Sequence, residues 1–152
     1  DVAKGQISSV FSVGYGLGII PAGLLVSIVS PKIVMGTGVF LWSLATLATP
    51  MVASYLPTDI APLLIVRAVM GLSESVVLPT IQRILLEWVP PERNESSVAV
   101  ATVFGGFQLG TILAYALSPN IMELCDGSWK GIFYVYGAIG ILWLIPWSLF
   151  VP

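Results

Sequence analysis

The sequence predicts an all-α bundle of membrane-spanning helices, and three features carry this prediction. Charged residues make up only 9% of the 152 residues, whereas a soluble domain usually has about 25%. Hydrophobic residues make up 57%, so the chain cannot cover itself with a polar surface and its main solvent must be lipid. Uncharged runs long enough to cross a bilayer, which takes about 20 residues, recur along the chain. Transmembrane β-strands would be about 10 residues long with strict alternation, and these runs do not alternate.

Five spans account for the whole sequence, which is interpreted as one transmembrane domain over residues 1–152. Four of them are free of charged residues. The third carries charges, at Arg67 and Glu74 inside the span and at Arg83 and Glu87 near its end. The predicted spans lie at about 6–29, 33–53, 60–82, 97–118 and 131–150.

Short connections between the spans allow a prediction of orientation. Lys32, Arg83 and Arg93 fall on one side of the membrane, and Lys130 is the basic loop residue of the other side. Because cytoplasmic loops carry an excess of lysine and arginine, we expect the first-to-second and third-to-fourth connections to be cytoplasmic. Three tryptophans near span ends are typical of interfacial anchors: Trp88, Trp129 and Trp147.

Several functional classes find no support in the sequence. A net charge of −2 without a basic run does not favour a nucleic-acid partner. Cys125 is the single cysteine and there is no histidine, so neither an internal disulfide nor a common metal-ligand cluster is expected. There is also no glycine-rich phosphate loop and no nucleophile–base pair. We therefore expect no cofactor and no metal, and these absences count against an intramembrane enzyme without excluding one.

The third span carries the residues of greatest chemical interest. Arg67 and Glu74 are seven positions apart, so in a helix they differ by about 20° in direction and about 10 Å along the axis. The opposite face carries Val69, Leu72 and Val76 and is expected to meet lipid. A charge at mid-bilayer costs about 2.5–3.5 kcal/mol on insertion scales, so two on one face need a reason. They either neutralise each other or a neighbouring helix, or Arg67 binds an anion and Glu74 acts as a protonatable gate.

Glycines and two polar side chains mark the first and fourth predicted helices. The pairs Gly14/Gly18 and Gly106/Gly110 have the spacing that lets helix backbones approach closely in lipid. Packing is therefore the expected role of both pairs. Tyr15 and Gln108 lie among these glycines. Each either lines a cavity or bonds a neighbouring helix.

Four segments resemble a known family. The run R-A-V-M-G-L-S-E-S-V-V-L-P (67–79), followed by W-V-P-P-E-R (88–93), resembles the fourth helix and following loop of the anion:cation symporters of the major facilitator superfamily. This branch includes vesicular glutamate transporters, sialin, plastid phosphate transporters and bacterial sugar-acid symporters. The segments S-S-V-F-S-V-G-Y-G-L-G-I-I-P-A-G, G-V-F-L-W-S-L-A-T-L-A-T-P and S-W-K-G-I-F-Y-V-Y-G-A-I-G-I-L-W resemble its second, third and sixth helices. The resemblance implies a fragment covering helices two to six of twelve, part of the amino-terminal half of a major facilitator fold.

The resemblance also implies a function. The family members are secondary transporters of organic or inorganic anions, of the phosphate or carboxylate class, coupled to protons or sodium and working by alternating access. The roles that carry over are anion binding for Arg67 and cation coupling for Glu74, with Tyr15 and Gln108 as further candidates for contact with the substrate. A non-transporting relative, receptor-like or truncated, and an intramembrane enzyme are the alternatives. The plasma membrane, a plastid membrane and a vesicular membrane all stay open.

Two departures from the family pattern bear on mechanism and substrate. The loop after the family's second helix usually has an acidic residue where this chain has Ser27, within G-L-L-V-S-I-V-S-P-K. The usual gating salt bridge is therefore not expected at that position. Vesicular glutamate transporters have a histidine ahead of the second-helix G-Y, where this chain has Ser8. That difference favours phosphate or a general anion as the substrate.

Overall fold

The computed structural model describes residues 2–55, 59–89 and 95–151. Within these ranges the chain forms helices and no strands, which confirms the predicted all-α fold class. Two of the helices, α3 and α4, together make one span, so five segments are long and apolar enough to cross a membrane. The helices are α1 (Val2–Ile28), α2 (Pro31–Tyr55), α3 (Ala61–Glu74), α4 (Val77–Trp88), α5 (Glu95–Leu124) and α6 (Lys130–Phe150).

The third span is interrupted by a turn at Ser75 and Val76, whereas a continuous helix was predicted at 60–82. Regular helical bonding resumes where the backbone N–H of Thr80 donates to the carbonyl of Val76, at 3.1 Å. Pro79 has no N–H to donate to the carbonyl of Ser75, four residues earlier, and its ring crowds that carbonyl. The interruption therefore follows from a proline that the prediction placed inside an unbroken helix.

Helices α4 and α5 continue past the predicted ends at 82 and 118, to Trp88 and Leu124. In α4 the added turns carry charges, and Nε of Arg83 pairs with Oε1 of Glu87 at 2.7 Å. Such i,i+4 pairs support a helix on an exposed surface. A helix can thus extend beyond the apolar run on which the prediction was based.

Two contacts join helix ends that alternating spans would place on the same side of the membrane. Arg83 Nη1 donates to the carbonyl of Val26, which links the end of α4 to the end of α1. The indole N–H of Trp147, near the end of α6, donates to the carbonyl of Lys32 at 2.9 Å. Both contacts fit the predicted order of the spans. Which side is cytoplasmic stays a prediction, and Arg93, on which it partly depends, lies outside the described residues.

Helices α1 and α3 pack backbone against backbone. A Cβ added at Gly14 would lie 2.7 Å from the carbonyl oxygen of Ala68. One added at Gly71 would meet the carbonyl of Phe11 and lie 2.9 Å from the backbone nitrogen of Tyr15. Small residues permit this approach, as the spacing of the glycines in α1 predicts. The backbones of α1 and α3 are therefore in direct contact.

Helix α2 lies at the centre of the described bundle and contacts α3, α4 and α6. Gly137 of α6 faces Leu47, whose Cγ would lie 2.6 Å from an added Cβ. Gly38 of α2 faces Val76, whose Cγ2 would lie 2.5 Å from an added Cβ. Val76 is partly buried and packs against α2, a contact that the prediction of a lipid-facing position did not include. Val69 and Leu72 are 40% and 47% exposed, as a lipid-facing surface requires.

Helix α5 is the most loosely packed of the set, because none of its described residues is buried. No heavy atom of the described residues, beyond its own helix backbone and chain neighbours, lies within 4 Å of a Cβ added at Gly106 or Gly110. The described residues supply no packing partner for this glycine pair, so its role in close packing stays a prediction. The spacing creates room for a neighbour but does not supply one.

Candidate functional site

Arg67 lies within α3, and its guanidinium has few partners. Nη1 contacts the sulfur of Met70 at 3.6 Å, a weak acceptor. Cζ lies 5.7 Å from the centroid of the Phe133 ring, within the range of a cation–π interaction. Nε is buried and has no hydrogen-bond partner among the described residues. Because guanidinium offers five N–H donors in a planar fork, most of this capacity is left for an incoming acceptor.

Glu74 is the last residue of α3 and borders the turn made by Ser75 and Val76. The side chain is partly buried. No contact within 4 Å pairs its carboxylate with Arg67 in the described structure. Both side chains line one cavity, so they share a face as the spacing predicts, but they do not form a closed ion pair. Transporter binding sites are often formed by discontinuous membrane helices, because the helix ends and free backbone groups at the break can contact substrate and ions.

Arg67 and Glu74 line a cavity of about 370 Å³, which we call the arginine cavity. Its other walls come from two serines, two apolar side chains and one aromatic ring. The hydroxyl of Ser12 donates to the carbonyl of Ser8 at 3.1 Å. The full lining is Ile7, Ser8, Phe11, Ser12, Arg67, Met70 and Glu74.

A larger cavity of about 560 Å³, which we call the aromatic cavity, contains the other two predicted residues. Tyr15 comes from α1 and Gln108 from α5, and three further aromatic rings complete much of the wall. The full lining is Tyr15, Trp42, Glu74, Val77, Leu78, Phe104, Phe107 and Gln108.

Glu74 lines both cavities. Phe11 of the arginine cavity stacks on Tyr15 of the aromatic cavity, with ring centroids 6.4 Å apart and an interplanar angle of 29°. One carboxylate is thus common to the cavity that contains a cation and the cavity with aromatic walls.

The structure thus places all four sequence-predicted residues in two adjoining cavities, with Arg67 in one, Tyr15 and Gln108 in the other and Glu74 in both. It adds residues that the sequence reasoning missed. Phe104 and Phe107 precede Gln108 by four and one positions, and helical spacing could have placed Phe104 on the face of Gln108. The positions of Trp42 and Phe133 had no comparable local signal. Ser8, noted only as a departure from the family pattern, lines the arginine cavity.

The family profile of the Major Facilitator Superfamily matches residues 2–152. The chain belongs to the Major Facilitator Superfamily. The predicted resemblance is thereby confirmed, and with its five apolar spans the protein is an integral, multi-pass membrane protein.

Relatives with assigned names are similar over nearly the whole chain. One is "Sodium-dependent phosphate transport protein 1, chloroplastic" from Arabidopsis thaliana, 38% identical over 94% of this chain and 27% of the relative. "Probable anion transporter 4, chloroplastic" from the same plant is 40% identical over 95% of this chain and 26% of the relative. Human sialin is 32% identical over 95% of this chain and 28% of its own length. The chain therefore spans about a quarter of the length of these relatives.

Proposed function

We propose that this chain is part of a secondary active transporter that moves an anion of the phosphate or carboxylate class by alternating access, coupled to protons or sodium. The observation that carries the proposal is the placement of Arg67, with a buried Nε that lacks a partner among the described residues, in a cavity that also contains Glu74. The names of the relatives, which include a phosphate transport protein and a probable anion transporter, support the same class of substrate.

Arg67 is suited to hold the anion. A guanidinium stays charged and presents parallel N–H donors that match a carboxylate or a phosphate. Its present partners, a thioether and an aromatic ring, can be replaced by an anion without loss of a strong hydrogen bond. An anion would also satisfy the buried Nε, since an unpaired buried donor is costly.

Glu74 is suited to couple the anion to a cation. When its carboxylate is charged, an anion entering the arginine cavity is repelled, and this repulsion is stronger in a partly buried site than in water. A proton or sodium ion on Glu74 removes the repulsion. Anion and cation then bind more strongly together than separately, which favours their transport together.

The experiment uses the full-length protein in proteoliposomes and measures uptake of labelled phosphate and labelled carboxylates under imposed proton or sodium gradients. Arg67→Lys keeps the charge but loses the fork, so we expect it to bind anion poorly. Glu74→Gln imitates the neutral carboxyl, so it should bind anion and allow exchange, but lose gradient-driven accumulation. The matched control is Glu123→Gln, because Glu123 is exposed near the end of α5 and lines neither cavity.

The two variants should therefore fail in different steps, Arg67→Lys in binding and Glu74→Gln in coupling. Full gradient-driven accumulation by Glu74→Gln would remove Glu74 from the coupling role. Unchanged anion affinity in Arg67→Lys would remove Arg67 from the binding role.

A further inference from the structure

The Arg67 guanidinium is not paired with a carboxylate in the described structure, although one is available on the same helix. Glu74 lines the same cavity as Arg67. Opposite charges attract each other more strongly in a partly buried site than in water. The contact with the sulfur of Met70, at 3.6 Å from Nη1, is too weak to balance that attraction, because a thioether is a poor acceptor. A further contact must therefore hold the guanidinium in its open position.

Phe133 supplies this contact. Cζ of Arg67 lies over the Phe133 ring, 5.7 Å from its centroid. The face of an aromatic ring carries negative partial charge, so it attracts a cation placed above it. This attraction occupies no N–H group, so the donor fork of the guanidinium remains available. Among the described residues, Phe133 does not belong to the lining of the arginine cavity, so the ring does not fill the space that an anion would occupy.

The ring belongs to a different helix from the two charged residues. Phe133 lies on α6, whereas Arg67 and Glu74 lie on α3. The edge contact between Phe133 and Trp129, with centroids 5.6 Å apart and 89° between the planes, orients the ring. Helix α6 in turn packs on α2 and contacts α5. The ring is therefore placed by the bundle, independently of the rotamers of Arg67 and Glu74.

We infer that Phe133 is a positioning residue, whose ring holds the Arg67 guanidinium apart from Glu74 and so keeps its donor fork open to an anion. This inference rests on the proposed function and adds a residue that controls the anion affinity of the same site. Without the ring, Arg67 pairs with Glu74 in a share of the molecules. An anion binds only the remaining share, so the apparent affinity falls in proportion to that share.

The test measures binding of inorganic phosphate and of acetate to the purified full-length protein in detergent by isothermal titration calorimetry. Phe133→Leu removes the ring but keeps an apolar side chain, and should weaken binding about fivefold, as expected for a cation–π contact of ordinary strength. Phe133→Tyr keeps an aromatic face and should retain the original affinity. Glu74→Gln removes the competing charge, so in that background Phe133→Leu should change the affinity by less than about twofold.

A graded replacement separates the charge of the ring face from the size of the ring. Phenylalanine with one, two or three ring fluorines is introduced in place of Phe133 in the full-length protein. Fluorine withdraws charge from the ring face with little change of shape, so the anion affinity should fall with each added fluorine. The matched control is the same series at Phe150, which is 81% exposed at the end of α6. This series also decides the question if Phe133→Leu does not fold.

The outcomes distinguish the positioning role from the anion site itself. Unchanged affinity in Phe133→Leu, with binding lost in Arg67→Lys, would overturn the positioning role and leave the anion site standing. The role is equally refuted by affinities that ignore fluorination of Phe133, or by a Phe133→Leu loss that is as large in the Glu74→Gln background. If neither probe binds, or if binding ignores Arg67→Lys, the anion site is refuted and the positioning role with it.

Discussion

Replacing Gly14 with alanine should push α1 away from α3 and destabilise the protein. The added Cβ would lie 2.7 Å from the carbonyl oxygen of Ala68 and 3.3 Å from its Cα. These are backbone atoms of a packed helix, so no side chain can rotate away. Ordinary van der Waals contact begins at about 3.4 Å, so the two helices must move apart by roughly 0.7 Å. Overpacking of this kind costs about 1–3 kcal/mol.

Gly16 provides the matched control two positions away. A Cβ added there has no heavy atom of the described residues within 4 Å beyond its own helix backbone and chain neighbours. Both substitutions exchange glycine for alanine within the same helix, so each gains about 0.8–1.0 kcal/mol of helix propensity on the aqueous scale. That gain cancels in the comparison. The difference between the two variants therefore measures the steric term, about 1–3 kcal/mol.

The full-length protein in detergent is heated to a series of temperatures, and size-exclusion chromatography then measures the fraction that stays folded. This gives the midpoint temperature of unfolding for each variant. We expect Gly14→Ala to unfold at a lower temperature than Gly16→Ala, and Gly71→Ala on the facing helix to behave like Gly14→Ala, because its Cβ also meets backbone atoms. Equal midpoints for Gly14→Ala and Gly16→Ala would refute the reasoning that α1 and α3 are held at backbone contact.

Three further predictions concern topology and individual contacts. An impermeant thiol reagent added from outside should not label Ser30→Cys, between α1 and α2, in a variant that lacks the native cysteine. The same reagent should label Cys125 in the native chain. The reverse pattern would mean that the predicted orientation is inverted. Arg83→Gln should lower the unfolding midpoint, because it removes the charged donor to the carbonyl of Val26. A hydrogen bond that involves a charged group contributes about 1.5–3 kcal/mol to stability. An unchanged midpoint would mean that the contact is not formed in solution. The Tyr136 hydroxyl donates to a backbone carbonyl of α5 at 3.0 Å. Tyr136→Phe should therefore lower the free energy of unfolding by about 0.6 kcal/mol, a typical value for a hydrogen bond between membrane helices. A loss of several kcal/mol would show that α5 depends on this bond far more than its loose packing indicates.

The number of spans could be predicted from the sequence because lipid imposes a local requirement. Backbone polar groups must be bonded within each segment, so an uncharged run of sufficient length is a helix wherever it packs. The shared face of Arg67 and Glu74 is local for the same reason, since helical periodicity sets it. The interruption after Glu74 was also local, because Pro79 removes the donor for the carbonyl four residues earlier. The position of Pro79 in the sequence is therefore sufficient to predict the interruption.

Partner contacts could not be predicted, because they depend on which helix lies opposite. The pairs Gly14/Gly18 and Gly106/Gly110 have the same spacing, yet the first pair packs on α3 and the second has no neighbour among the described residues. Val76 shows the same limit, since helical periodicity placed it opposite the charged face but could not reveal that Gly38 lies against it.

The sequence by itself determined that this protein crosses the membrane repeatedly and carries an arginine and a carboxylate on one face of a span. Only the tertiary structure decided what surrounds them. It placed Glu74 in the lining of two cavities, Phe133 beside Arg67, and Trp42 with Phe107 in one wall. The reason is physical: charge and periodicity act along the chain, whereas a cavity exists only where side chains of separate helices meet.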